Sequence, residues 1–266
     1  ADDSTTTNLN TLVDRGYHIF GPAEGEQACG DVGPGRMLEP AQLLELSSSL
    51  FESGLLAGKN IVITGGPTRE AIDPVRFISN HSSGKMAYAL AAEAASAGAK
   101  VTLISGPVNL ATPDSVHRID VVSAAQMLDA TLEQMSDCDV FIGVAAVADY
   151  RPAEVEVQKI KKSDEQMQLT LIKNPDIISE VAKLDRKPFV VGFAAETNDI
   201  VSNGKDKLTR KNLDMLFANN ATETFNSDSI SVTALTKTSE SELSAGNKNV
   251  VARNMLQLIA TALGAR

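Results

Sequence analysis

Three short segments carry residue types whose spacing suits chemistry on a phosphorylated ligand. Thr64-Gly65-Gly66-Pro67-Thr68-Arg69-Glu70 follows an apolar run, and its glycines let a ligand approach the backbone at the carboxyl end of a strand, unless they only make the turn. Ser79-Asn80-His81-Ser82-Ser83-Gly84-Lys85 opens an Ala-rich helical pattern. Free N–H groups, small hydroxyls and a lysine make an anion site at a helix N-terminus, the plainer alternative being a serine cap beside a solvated lysine. Asp149 closes the run AAVA after an apolar stretch. A carboxylate there can accept from ribose hydroxyls, bind a divalent ion that bridges phosphate oxygens, or cap a turn.

The same segments argue against two common nucleotide motifs. GGPTRE lacks the G-x-G-x-x-G spacing, and the next β-branched run, VTLIS, ends in Ser105-Gly106-Pro107 with no acidic residue for a ribose diol. An NAD(P) oxidoreductase is therefore disfavoured. SSGK fails as a Walker motif because Met86 stands where a hydroxyl residue would meet Mg²⁺.

The elements that must hold these residues read as an α/β domain. Strands are expected at 60–64, 100–104, 118–122, 139–144, 188–194 and 213–218, most of them continuously apolar as in a sheet buried on both faces. Helices are expected at 85–97, 124–135, 176–184 and 199–211, with Ser83 and Ser123 as caps and Gly98 as a stop. Right-handed crossovers give a Rossmann-like, mainly parallel, doubly wound sheet. Residues 155–172 alternate differently (KIKK, QMQLTLI) and predict a projecting β-ribbon. A loop at 239–248 and a helix at 250–263 close the chain. Residues 1–56, rich in Gly and Pro before a helical run at 41–50, read as a separate piece and linker ahead of a main domain, 57–266.

The composition is 43% hydrophobic with no Trp and 4% aromatics, which suits a sheet core of Ala, Val, Ile and Leu. A net charge of −10 argues against nucleic-acid or anionic-membrane partners. No apolar run reaches the roughly 18 residues that span a bilayer. Cys29 and Cys138 are the only cysteines, far apart and without metal or disulfide spacing, so a cytoplasmic setting is expected.

Read together, GGPTREAIDPVRFISNHSSGKMAYALA, ISGPV, AAVADYRP, KIKK, IKNPDI, VVGFAAET and RKNLD resemble, in order and spacing, bacterial phosphopantothenoylcysteine synthetase. The upstream run GYHIFGPAEGEQACGDVGPGRMLEP looks like the carboxyl end of phosphopantothenoylcysteine decarboxylase, commonly fused ahead of it. The resemblance implies a dimeric Rossmann-like ligase of coenzyme A biosynthesis. It implies 4'-phosphopantothenate, L-cysteine and CTP as substrates, Mg²⁺ as the accompanying ion, and an acyl-cytidylate intermediate, with release of pyrophosphate and then CMP. By motif, the nucleotide contacts fall at Ala145, Asp149, Lys159, Pro175, Asp176, Ile177, Ile178, Phe193, Lys207 and Lys211, with Lys159 also catalytic. Asn80 matches the Asn linked to the second half-reaction. Cys29 matches the decarboxylase proton donor, expected to be inactive because the FMN-binding part of that enzyme is missing from this sequence.

The departures are Ala87, where relatives often have Gly, and NNATETFNSD, which leaves Asn220 and Phe225 without assigned roles. Ala87 is expected to affect packing alone.

The chemistry suits these residues. Attack by a carboxylate on an α-phosphate joins two anions, so the site needs cations and alignment. Lys159, Lys207 and Lys211 supply charge in an acidic protein, and Lys207 and Lys211, four apart, share a helical face. Amine attack builds an oxyanion that the Asn80 amide can stabilise. His81 reads as a hydrogen-bonding loop residue. Asp149 serves either ribose or metal, and base choice between CTP and ATP stays open on physical grounds. A regulatory nucleotide-binding module without turnover is the non-enzyme alternative.

Overall fold

The computed structural model describes residues 3–15, 17, 19–26, 32–49, 54–161, 166–196, 200–220 and 229–264. Two compact units divide the chain, residues 1–53 and 54–266. The first holds helix α1 (Asp3–Asp14), an antiparallel hairpin of β1 (Ala23–Glu26) and β2 (Val32–Arg36), and helix α2 (Pro40–Ser49). Helix α1 has Leu9, Leu12 and Val13 as its only large apolar residues, so no apolar stripe announces it in the sequence.

In the second unit come β3 (Asn60–Gly65), a small hairpin of β4 (Arg69–Ala71) and β5 (Phe77–Ser79), α3 (Lys85–Ser96), β6 (Lys100–Ser105), β7 (Val116–Asp120), α4 (Ala124–Glu133) and β8 (Val140–Gly143). A second small pair follows, β9 (Tyr150–Pro152) and β10 (Leu171–Lys173), then α5 (Ile177–Ala182), β11 (Phe189–Glu196), α6 (Ile200–Arg210) and β12 (Met215–Asn220). The unit ends with β13 (Ser229–Leu235), β14 (Glu240–Asn247) and α7 (Lys248–Gly264).

Eight strands form one sheet in the order β14-β13-β12-β11-β8-β3-β6-β7. From β12 to β7 every pairing is parallel, while β13 and β14 join antiparallel at one edge. Alternate strand residues feed two cores: Ile61 and Ile63 face α3 and α7, whereas Val62 faces the α4, α5 and α6 side. Burial on both faces is what makes β3, β8 and β11 read as unbroken apolar runs.

Several expectations change. The expected loop at 239–248 is the edge strand β14, which is largely exposed and touches the core through Leu243, so its polar sequence hides it. Among the described residues of the expected ribbon, 155–172, the strand pairing is confined to its end: Leu171–Lys173 pairs with Tyr150–Pro152, Ala153 N–H reaches the Thr170 carbonyl at 2.9 Å, and residues 154–161 hold no strand. Ser83 does not cap α3. Gly84 holds that position at φ 74°, with no side-chain cap bond. Ser123 does cap α4, in a reciprocal box with Gln126. Cys29 and Phe225 lie outside the described residues.

Candidate functional site

Parallel strands leave a crevice at their carboxyl ends, and here that crevice is a cavity of about 760 Å³. Ala145 and Asp149 reach it from the segment after β8, and Phe193 from β11. Pro175, Asp176, Ile177 and Ile178 approach from the start of α5, and Lys207 and Lys211 from the end of α6. Asn80 closes another wall. Lys159 is not in this lining; it is exposed on the irregular segment before β10.

The 145–149 segment is held by side chains from three directions. Ala148 N–H donates to the buried Thr68 hydroxyl at 3.0 Å, and Asn80 Nδ2 donates to the Val147 carbonyl at 3.0 Å. Asn174 Nδ2 donates to the Ala148 carbonyl at 2.8 Å, its Oδ1 accepts from Arg151 at 3.0 Å, and its backbone N–H reaches the Asp149 carbonyl at 2.8 Å. Thus Asn80 spends one of its two amide hydrogens on the loop. Asp149 is exposed at the cavity, and among the described residues it has no ion-pair partner.

Charge in the site is partly self-compensated. Lys211 Nζ lies 2.7 Å from Asp176 Oδ2, and Asp176 also caps α5 by accepting from Ser179 N–H at 3.3 Å. Partial burial pushes the Asp176 carboxyl up, but the Lys211 ammonium and the Ser179 contacts outweigh it and hold the group below its usual value. Lys207 and Lys211 sit one helical turn apart, with Lys211 N–H bonded to the Lys207 carbonyl at 3.0 Å.

Glycines shape the approach. A β-carbon on Gly106 would fall 1.8 Å from the Pro67 carbonyl oxygen, so the loop after β3 and the loop after β6 touch through bare backbone. At the end of β6, buried Ser105 bonds Tyr88 Oη at 3.0 Å and donates to the Gly106 carbonyl at 2.9 Å. Where a dinucleotide enzyme needs an acidic residue, this chain packs a tyrosine–serine pair.

Lys85 lines a different cavity, of about 550 Å³, between the starts of α3 and α7. Thr68, Asn174 and Arg151 were not singled out by sequence reasoning. All three nevertheless lie inside motifs that carry the resemblance, Thr68 in GGPTRE, Arg151 in AAVADYRP and Asn174 in IKNPDI. No described residues form a group of three or more His, Cys, Asp or Glu able to hold a metal ion.

Residues 56–263 match the family described as DNA/pantothenate metabolism flavoprotein C-terminal domain. Across 98% of its length the chain is 52% identical to the coenzyme A biosynthesis bifunctional protein CoaBC of Vibrio vulnificus strain CMCP6, covering 67% of that protein. It is 46% identical to the protein of the same name from Escherichia coli K12, with 97% of this chain and 66% of that one covered. It thus spans about two thirds of these relatives. A crystal structure of the C-terminal domain of CoaBC superposes with a TM-score of 0.70 at 40% identity, covering 80% of this chain and 100% of that domain.

Proposed function

The chain belongs to the DNA/pantothenate metabolism flavoprotein C-terminal domain family, and from that premise we propose that it ligates L-cysteine to 4'-phosphopantothenate with CTP as the activating nucleotide. The observation that carries the reading is convergence. Residues far apart in sequence, from Ala145 to Lys211, line one cavity at the carboxyl ends of parallel strands.

In the first step a carboxylate oxygen of phosphopantothenate attacks the α-phosphorus of CTP, and pyrophosphate leaves. Lys207 and Lys211 offset the phosphate charge, and Lys159 meets the α-phosphate as the two anions join. The base packs near Ala145, Phe193 and the start of α5. Magnesium fits as an ion carried by the triphosphate, because one or two carboxylates plus substrate phosphates are its usual protein ligation, and Asp149 is the carboxylate placed for it or for the ribose. In the second step the cysteine amine attacks the acyl carbon, the C–O bond to CMP breaks, and the second amide hydrogen of Asn80 meets the oxyanion.

A cytoplasmic homodimer is part of the proposal. No helix among the described residues is long and apolar enough to cross a membrane. Val75 and Phe77 on one small hairpin and Tyr150, Leu171 and Ile172 on the other are exposed, an apolar surface that suits a second copy. Cys29 and flavin-dependent decarboxylation are assigned no part in ligation.

The test is direct. The purified chain, given phosphopantothenate, cysteine, Mg²⁺ and either CTP or ATP, is expected to form phosphopantothenoylcysteine and CMP with CTP. No product with either nucleotide would refute the ligase reading.

A further inference from the structure

Lys159 belongs to a segment with no helix or strand of its own, yet that segment is fastened at two points to the turn between β4 and β5. Glu156 N–H donates to the Ile72 carbonyl at 3.0 Å. Four residues on, Asp73 Oδ2 accepts from Ile160 N–H at 3.2 Å, and Arg76 Nη2 donates to the Ile160 carbonyl at 3.0 Å. Both polar backbone groups of the residue after Lys159 are therefore taken by one acid–base pair.

That pair is itself rigid. Asp73 is 3% exposed. Its other bonds come from Val75 N–H and Arg76 N–H, each at 2.8 Å, and from the Arg76 guanidinium, through Nε at 2.9 Å and Nη2 at 2.5 Å. The Arg76 guanidinium holds the Asp73 carboxyl far below the usual carboxylate range, so the acceptor is ionised at any working pH. The same hairpin ends at Ser79, whose hydroxyl donates to the Thr68 carbonyl at 2.7 Å, and Asn80 follows at the cavity. One hairpin thus carries Asn80 at its end and grips the Lys159 segment at its turn.

We propose that Asp73 is a positioning residue: together with Arg76 it fixes the Ile160 peptide and so aims Lys159 at the activation step. This rests on the reading of Lys159 given above. A long, exposed lysine on an unanchored segment would sample many placements, and small misplacements of a reacting group cost rate steeply. The carboxylate touches no reacting atom; it acts through the backbone next to the lysine.

The test is a double-mutant cycle in the full chain with single-turnover pyrophosphate release as the rate. Asp73→Asn is expected to slow release by about tenfold to a hundredfold while CTP affinity stays within about twofold, and to speed amide exchange at Ile160. Arg76→Lys, a milder change at a partly exposed side chain, loses the bond to the Ile160 carbonyl and shifts both readouts the same way should Asp73→Asn misfold. In a Lys159→Gln background the further loss from either substitution is expected to shrink to less than about twofold, because coupled residues are not additive. Equal slowing with and without Lys159, or unchanged exchange at Ile160, overturns the inference alone. Lys159→Gln releasing pyrophosphate at the wild-type rate instead sinks the role of Lys159 on which it rests.

Discussion

A β-carbon placed on Gly65 would lie 2.5 Å from the β-carbon of Ala87, so the last residue of β3 and the first turn of α3 share the room for a single methyl group. Ala87 therefore fits only because position 65 is bare. We predict that Gly65→Ala destabilises the protein by about 1–3 kcal/mol through overpacking, and that Gly65→Ala with Ala87→Gly recovers most of the loss. Urea denaturation of the two variants checks this; equal stability of the single and double variants would show that the contact relaxes freely.

The ion pair between Asp176 and Lys211 makes a pH prediction. The Asp176 carboxyl is depressed in the fold, so its contribution is present above the unfolded value of about 3.9 and is lost as pH falls through the lower folded midpoint. A carboxyl-carbon NMR titration should place Asp176 below the ordinary aspartate midpoint. In Lys211→Met, partial burial is left opposed by Ser179 alone, and the midpoint should move up. An unchanged midpoint would mean that the pair does not form in solution.

The two cysteines should behave differently. Cys138 is buried, donates to the Val140 carbonyl at 3.1 Å, and burial pushes its thiol up to about 12. In Cys29→Ser, a thiol reagent at pH 8 should find no reactive group until the protein is unfolded, because burial both shields the Cys138 thiol and keeps it protonated. The same variant should keep ligation within about tenfold, or 1.4 kcal/mol of barrier. Rapid native labelling would contradict the burial of Cys138, and a larger activity loss would put Cys29 into the ligation reaction.

Asn80 and Lys159 should fail at opposite sides of the acyl-nucleotide. With Lys159→Gln, pyrophosphate release itself slows and nothing accumulates. With Asn80→Ala the amine step slows by on the order of 10² to 10³, and an acyl-cytidylate builds up, seen by mass spectrometry with and without cysteine. A variant Asn80→Ala that makes no intermediate, or a Lys159→Gln that traps one, would reverse these roles.

Much of the central sheet could be read from sequence because its strands are buried on both faces; Ile61 to Ile63 and Val140 to Ile142 leave no polar position to confuse the pattern. At the antiparallel edge, ESELSAGN looks like a loop because exposure removes the apolar signal while backbone pairing to β13 remains. The site was legible as residue types at motif positions, and those from Ala145 to Lys211 other than Lys159 meet at one cavity. Its scaffolding was not. Thr68 to Ala148, Asn80 to Val147 and Asp73 to Ile160 are bonds across 67 to 87 residues, and no local periodicity encodes a hydroxyl or carboxylate that will meet a distant backbone group.

Nucleotide activation of the carboxylate can be followed through a single atom. If a carboxylate oxygen of phosphopantothenate bonds to the α-phosphorus and the amine later breaks the acyl C–O bond, that oxygen must leave with CMP. Phosphopantothenate labelled with heavy oxygen in its carboxylate, turned over with CTP, Mg²⁺ and cysteine, is therefore expected to yield CMP carrying one heavy oxygen and pyrophosphate carrying none. Unlabelled CMP alongside labelled pyrophosphate or phosphate, or product formed with no label in any nucleotide fragment, would contradict ligation through an acyl-cytidylate.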